Sequence, residues 1–201
     1  MPSETSRIEA FSDGVFSIAA TLLVLELKPP APSLSFWQGM LAQWPGFASF
    51  LLSFLFIGIM WINHHRLFAH IRRTDDALLG VNLILLLGIV WIPYPTSLMA
   101  QAVGTARMRE AAILYNGSYL ALALLFNLLM FTCLQKGLVD PSSKAVRNLQ
   151  RNFALGPLIY VPCFLLTWWS VPVSLGLNGA LALYFLLSPN KAPRAQAAHI
   201  S

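Results

Sequence analysis

Six stretches of this chain are apolar over the length that a bilayer core demands, and that feature constrains the fold more than any other. A helix crossing the hydrocarbon needs about 20 predominantly apolar residues, and such segments fall near 8–28, 40–63, 77–98, 111–135, 152–170 and 173–189. Lipid offers the backbone no hydrogen-bond partner, so spans of this length are helices. The sequence therefore reads as an all-α integral membrane protein, with one six-span domain over 1–190 and a short polar tail over 191–201. The chain after Ser188 reads as disordered. Only 10% of the 201 residues are charged, against about a quarter in soluble domains. The net charge of +5 is too small, in so apolar a chain, for nucleic-acid binding through bulk charge. The N-terminal stretch does not read as a cleavable signal, because Arg7, Glu9 and Asp13 interrupt the place where its apolar core would lie.

Cytoplasmic loops are enriched in Lys and Arg. With the N-terminus inside, Arg7, Arg66, Arg72, Arg73, Lys136, Lys144, Arg147, Arg151, Lys191 and Arg194 are cytoplasmic, and only Lys28, Arg107 and Arg109 are outside. The bias places both termini in the cytoplasm, which requires an even number of spans. The expected location is the cell membrane.

Two connections have distinct chemistry. The external run Lys28–Ser33 contains three prolines and reads as a stiff stop to the first span. The cytoplasmic connection over 136–151 carries Lys144, Arg147 and Arg151 at spacings of three and four, which predicts a short basic helix at headgroup level, an anchoring face near anionic lipid. Trp91–Thr96 reads as a kinked external end bearing interfacial aromatics. Cys133 and Cys163 sit inside apolar runs and read as small core or lipid-facing residues. The two halves of the chain show no repeat, which weighs against a transporter of inverted repeats.

The first span holds the unusual residues. Ionisable groups inside spans are costly and usually face the protein interior or a water-filled cavity. At about 100° per residue, Arg7, Phe11, Gly14, Ile18, Thr21, Leu22 and Leu25 share one stripe, while Glu9, Ser12 and Asp13 point away from it. The polar face must be satisfied by neighbouring helices. The partners expected for Asp13 lie at the cytoplasmic end of the second span, Trp61–Arg66, where an imidazole of His64 or His65 or a guanidinium could meet the carboxylate in a structural network. A proton-transfer site is the other reading, because histidine titrates near neutral pH.

His64, His65 and His70 are close in sequence, and imidazole ligates zinc and iron. Membrane di-iron enzymes need several separated histidine clusters, and this chain has four histidines in all. No Ser/His/Asp order, Gly-rich phosphate loop or CxxC motif is present, so the chain reads as neither an enzyme nor a metal or cofactor binder.

Arg7-x-x-x-Phe11-Ser12-Asp13, opening the first of six spans, with a proline-bounded stop after it and a histidine-rich end to the second span, resembles the transmembrane protein 175 family of lysosomal and bacterial potassium channels. Bacterial members are six-span subunits that assemble as tetramers, and animal members carry two such repeats per chain. With one repeat, this chain resembles the bacterial form, which implies a bacterial inner membrane.

The resemblance implies a homotetramer in the lipid bilayer whose first helices line a central pore for potassium ions. It implies an apolar constriction at Ile18, Leu22 and Leu25, with Thr21 as a polar layer. Arg7, Phe11, Ser12, Asp13, His64 and His65 would form the structural network behind it. The chain has no TVGYG filter, so selectivity in such a pore must come from elsewhere, and a ring of Ile18 side chains could both penalise strongly hydrated sodium and gate by dewetting. No S4-like arginine series is present, so steep voltage dependence is not expected. The alternative function is a small proton-coupled secondary transporter using Asp13, His64 and His65 as a relay.

Overall fold

A computed structural model describes residues 4–30, 33 and 35–187; the polar tail over 191–201 lies outside them. The described chain is all helical: α1 (Glu4–Leu22) continued by a 3-10 turn (Leu23–Glu26), α2 (Phe36–Ala42), α3 (Trp44–Phe68), α4 (Asp76–Trp91), α5 (Pro93–Ala102), α6 (Met108–Gln135), α7 (Lys144–Leu166) and α8 (Val171–Leu187). Thr5–Glu26, Trp44–Phe68, the α4–α5 rod Asp76–Ala102 and Met108–Gln135 are long and apolar enough to cross a bilayer, and Val171–Tyr184 is a shorter apolar helix.

Two helices differ from expectation. Ser35 begins an unforeseen short helix, α2, by a capping box: its hydroxyl accepts from the Gln38 amide while the Gln38 side chain accepts from the Ser35 amide. Gly39 lets α2 close down on the proline-rich connection, because a Cβ there would stand 2.5 Å from the Cβ of Pro30. The basic segment ending at Arg151 is not a separate surface helix. It forms the first two turns of α7, which runs unbroken into the apolar stretch beyond.

The turns follow from local chemistry. Gly137 adopts φ +62 and ends α6, with its amide bonded to the Leu134 carbonyl and that of Leu138 to the Cys133 carbonyl. This is a Schellman stop, for which glycine carries no Cβ penalty. The carboxylate of Asp140 accepts from the hydroxyl and amide of Ser142 and pairs with Arg72. Those bonds, the Ser142 hydroxyl first, hold Asp140 below the usual carboxylate range. The α4–α5 rod breaks at Ile92, because Pro93 and Pro95 have no amide to donate. Pro157 in α7 likewise leaves the Phe153 carbonyl without its helical donor, and Asn127 of α6 supplies one at 2.7 Å. Asn127→Leu should therefore lower the thermal stability of the purified protein by roughly 1 kcal/mol, and a melting temperature equal to the parent's would contradict this.

Polar groups tie the apolar helices together, as they do in bilayers where water contributes no hydrophobic drive. Thr96 donates to the Ile92 carbonyl, so Ser53 donates to Thr96 at 2.8 Å and accepts from Tyr115 at 3.1 Å, joining α3, α5 and α6. Asn116 of α6 donates to Thr167 and Ser174 and accepts from Asn178 of α8. Cys133 and Cys163 are free and buried in this interior.

Candidate functional site

The polar face of α1 is bonded to two helices. Ser12, fully buried, donates to the Ile8 carbonyl of its own helix and accepts from Asn82 of α4 at 3.0 Å. Asn82 then has its carbonyl oxygen free to accept from Nε2 of His64 on α3 at 2.9 Å. Because each donor is spoken for, the chain has one direction: His64 to Asn82 to Ser12 to Ile8. The His64 ring is held between Phe16 and Phe68, stacking on the latter at a centroid distance of 4.2 Å.

Two further contacts lie beside this buried chain and nearer the surface. Trp61 Nε1 donates to the Asp13 carboxylate at 2.9 Å, and Glu9 meets His65 Nδ1 at 2.8 Å. These results correct the expected pairing. Asp13 takes an indole partner instead of an imidazole, and His65 takes Glu9. His64 is joined to the motif through Ser12, with Asn82 between them. The hydrogen bonds of Asp13 and His64 lead to different partners, so the two do not form a direct carboxylate–imidazole couple.

Asn82 and Trp61 were not singled out from the sequence. Asn82 had a readable signal, as the one polar side chain in the run Ala77–Trp91, where such a group needs a partner. Trp61 had none, because tryptophan near a span end is equally an interfacial anchor.

The two residues differ in burial, and their substitutions should differ accordingly. Trp61→Phe keeps a ring and removes one donor to a partly exposed carboxylate, so we expect a stability loss of no more than about 1 kcal/mol. A loss as large as that from disrupting Asn82 would show that the indole bond, not the buried chain, fixes α1.

The opposite face of α1 is not covered by any of the described residues. Phe11 is 59%, Ile18 60% and Leu25 72% exposed, with Arg7, Gly14, Thr21 and Leu22 exposed on the same stripe. A Cβ added at Gly14 would meet nothing within 4 Å. The face that packs is Ser12, Phe16, Ala19 and Leu23, all buried. The structure thus brings Ser12, Asp13, His64 and His65 to one end of the α1–α3–α4 contact, and sets Ile18, Thr21, Leu22 and Leu25 apart on bare surface. Arg7 and Phe11 line a groove of about 670 Å³ with Asp75, Asp76 and Asn82.

Residues 7–93, which contain this whole arrangement, match the model of the family described as endosomal/lysosomal potassium channel TMEM175. A potassium channel of Streptomyces collinus is 40% identical over 203 residues, covering 98% of each chain. A potassium channel of Chamaesiphon minutus is 40% identical over 195 residues, covering 94% of this chain and 96% of that one. The crystal structure of a lysosomal potassium-selective channel TMEM175 homolog from Chamaesiphon minutus superposes with a TM-score of 0.87 at 40% identity, over 94% of this chain and all of that one. The all-helical, multi-pass membrane architecture is common to this chain and that structure. By full-length identity and by fold, the chain belongs to the TMEM175 family.

Proposed function

We propose that this protein is a potassium-selective channel, a homotetramer of six-span subunits whose α1 helices line a central pore constricted at Ile18, Leu22 and Leu25, with Thr21 as a polar layer. The observation that carries the reading is the division of α1 into two faces, one bonded into its own subunit and one left exposed by the described residues. Four such faces around an axis would bury each other's apolar side chains and leave a narrow, water-lean passage. The relatives named potassium channels at 40% identity support the choice of ion.

In this reading α7 and α8 complete the six spans, both termini are cytoplasmic, and the network around Ser12 and Asp13 is a scaffold that holds α1 at the required rotation. Selectivity arises at an apolar ring, since the chain carries no carbonyl filter sequence. The test is ion flux into liposomes containing the purified protein, with potassium compared to sodium under equal gradients and with protein-free vesicles. Flux that prefers potassium and ignores a proton gradient is the expected result. No flux of either ion from a folded tetramer, or saturable uptake driven by protons, would favour the proton-coupled carrier.

A further inference from the structure

From Pro141 onward the sequence contains Lys and Arg but no Asp or Glu. Three of those cations, Lys144, Arg147 and Arg151, lie on the first two turns of α7 and are exposed. The neighbouring cytoplasmic cations are already answered: Arg72 by Asp140, Lys136 by Asp75, and Arg73 by the Lys136 carbonyl. Among the described residues no carboxylate pairs with the α7 trio. Arg147 donates from one nitrogen to the carbonyls of Pro141 and Ser142, which leaves the rest of its five-donor fork.

The same stripe continues as bare hydrocarbon. At about 100° per residue, Lys144, Arg147, Arg151, Leu155, Leu158 and Leu165 fall within roughly 80° of one another. Leu158 is 69% exposed, and the helix buries the opposite side through Val146, Leu149, Phe153 and Cys163. Trp169, 81% exposed, follows just past the far end of the helix. From Arg151 to Leu165 the helix rises about 21 Å, the larger part of a hydrocarbon core of roughly 30 Å, and Trp169 lies beyond that. A cationic end, an aliphatic length and an exposed indole beyond it follow the order of layers met from one interface of a bilayer toward the other.

We propose that this face of α7 is a binding site for an anionic phospholipid of the cytoplasmic leaflet, its phosphate held by Lys144, Arg147 and Arg151 and an acyl chain lying along Leu155 and Leu158. The site rests on the orientation proposed above but not on which ion the channel conducts. Each cation near an anionic headgroup is worth on the order of fivefold in affinity.

Native mass spectrometry of the full-length protein, equilibrated with equal amounts of palmitoyl-oleoyl phosphatidylglycerol and phosphatidylcholine, tests it. The parent should retain the glycerol lipid several-fold over the choline lipid. Lys144→Gln/Arg147→Gln/Arg151→Gln should bring the ratio near one, and Lys28→Gln/Arg107→Gln/Arg109→Gln, which removes as much charge from the other side, should leave it unchanged. Because Arg147 also braces the preceding loop, Lys144→Gln/Arg151→Gln is made in parallel, and a reduced ratio is expected there too.

A parent without preference, or a preference that survives both α7 variants, overturns the site. So does displacement of the lipid by free glycerol phosphate at equal concentration, which would mean that the apolar stripe takes no part. Loss of subunits from the oligomer in the α7 variants alone would mean that a second copy covers this face, and would also overturn it. Potassium flux of the parent in the same preparation reports separately on the channel.

Discussion

Replacing Ile18 with asparagine should raise the potassium current through the protein or weaken its discrimination against sodium. Ile18 is the exposed aliphatic at the middle of the bare face of α1, and in a four-fold pore its copies would meet around the axis. A β-branched side chain has little χ1 freedom, so such a ring is narrow and cannot offer water a hydrogen bond. An asparagine ring could stay wet and would replace part of an ion's lost hydration. If wetting lowers the barrier by about 1.4 kcal/mol, current rises about tenfold. Sodium gives up its water less readily than potassium, so its permeability should rise more. Liposome flux or single-channel recording of Ile18→Asn reads both quantities, and unchanged current together with an unchanged permeability ratio would remove Ile18 from the constriction.

The largest loss of stability should come from Asn82→Leu. Asn82 donates to the buried Ser12 hydroxyl oxygen and accepts from the buried His64 Nε2, so a side chain of similar size without polar atoms strands the imidazole N–H and removes the donor to Ser12, whose own proton stays on the Ile8 carbonyl. A buried group left without its partner costs about 1–3 kcal/mol in soluble proteins. Interhelical bonds in a bilayer average only about 0.6 kcal/mol, but here an imidazole packed between two phenyl rings has no water to turn to. We expect a combined loss of roughly 2–4 kcal/mol. It should appear in the thermal unfolding of the purified protein and exceed the effect of Trp61→Phe. Equal melting temperatures for Asn82→Leu and the parent would mean that packing alone sets the rotation of α1.

The positions of the long helices were legible because a bilayer imposes one length and one composition on anything that crosses it. The two-faced character of α1 was legible for a related reason, since helical period sorts Ile18, Thr21, Leu22 and Leu25 from Ser12 and Asp13 without knowledge of any neighbour. Partner identity was not. Period says that Asp13 leaves the stripe, but whether it meets His64, His65 or Trp61 depends on the rotation of α3 about its own axis, which no local pattern encodes. Asn82 belongs to a third helix, and its role needs the α1–α4 approach in three dimensions. The basic residues after Ser143 belong to a different element from the one expected, because composition changes at about residue 152 while the backbone has no reason to break there.

The bonds that anchor α1 to other helices through Glu9, Ser12 and Asp13 all lie in its first ten described residues, and beyond Leu22 the helix tightens into a 3-10 turn held by packing at Leu23. Mechanically this is a beam bonded at its base and only packed farther along. Bending displaces such a beam least near the bonded base and most at the far end, so four of them around an axis would keep Ile18 nearly stationary while Leu25 swings. The half nearer the bonds would then set the bore, and the far end, with the larger lever arm, would be the place where the aperture breathes.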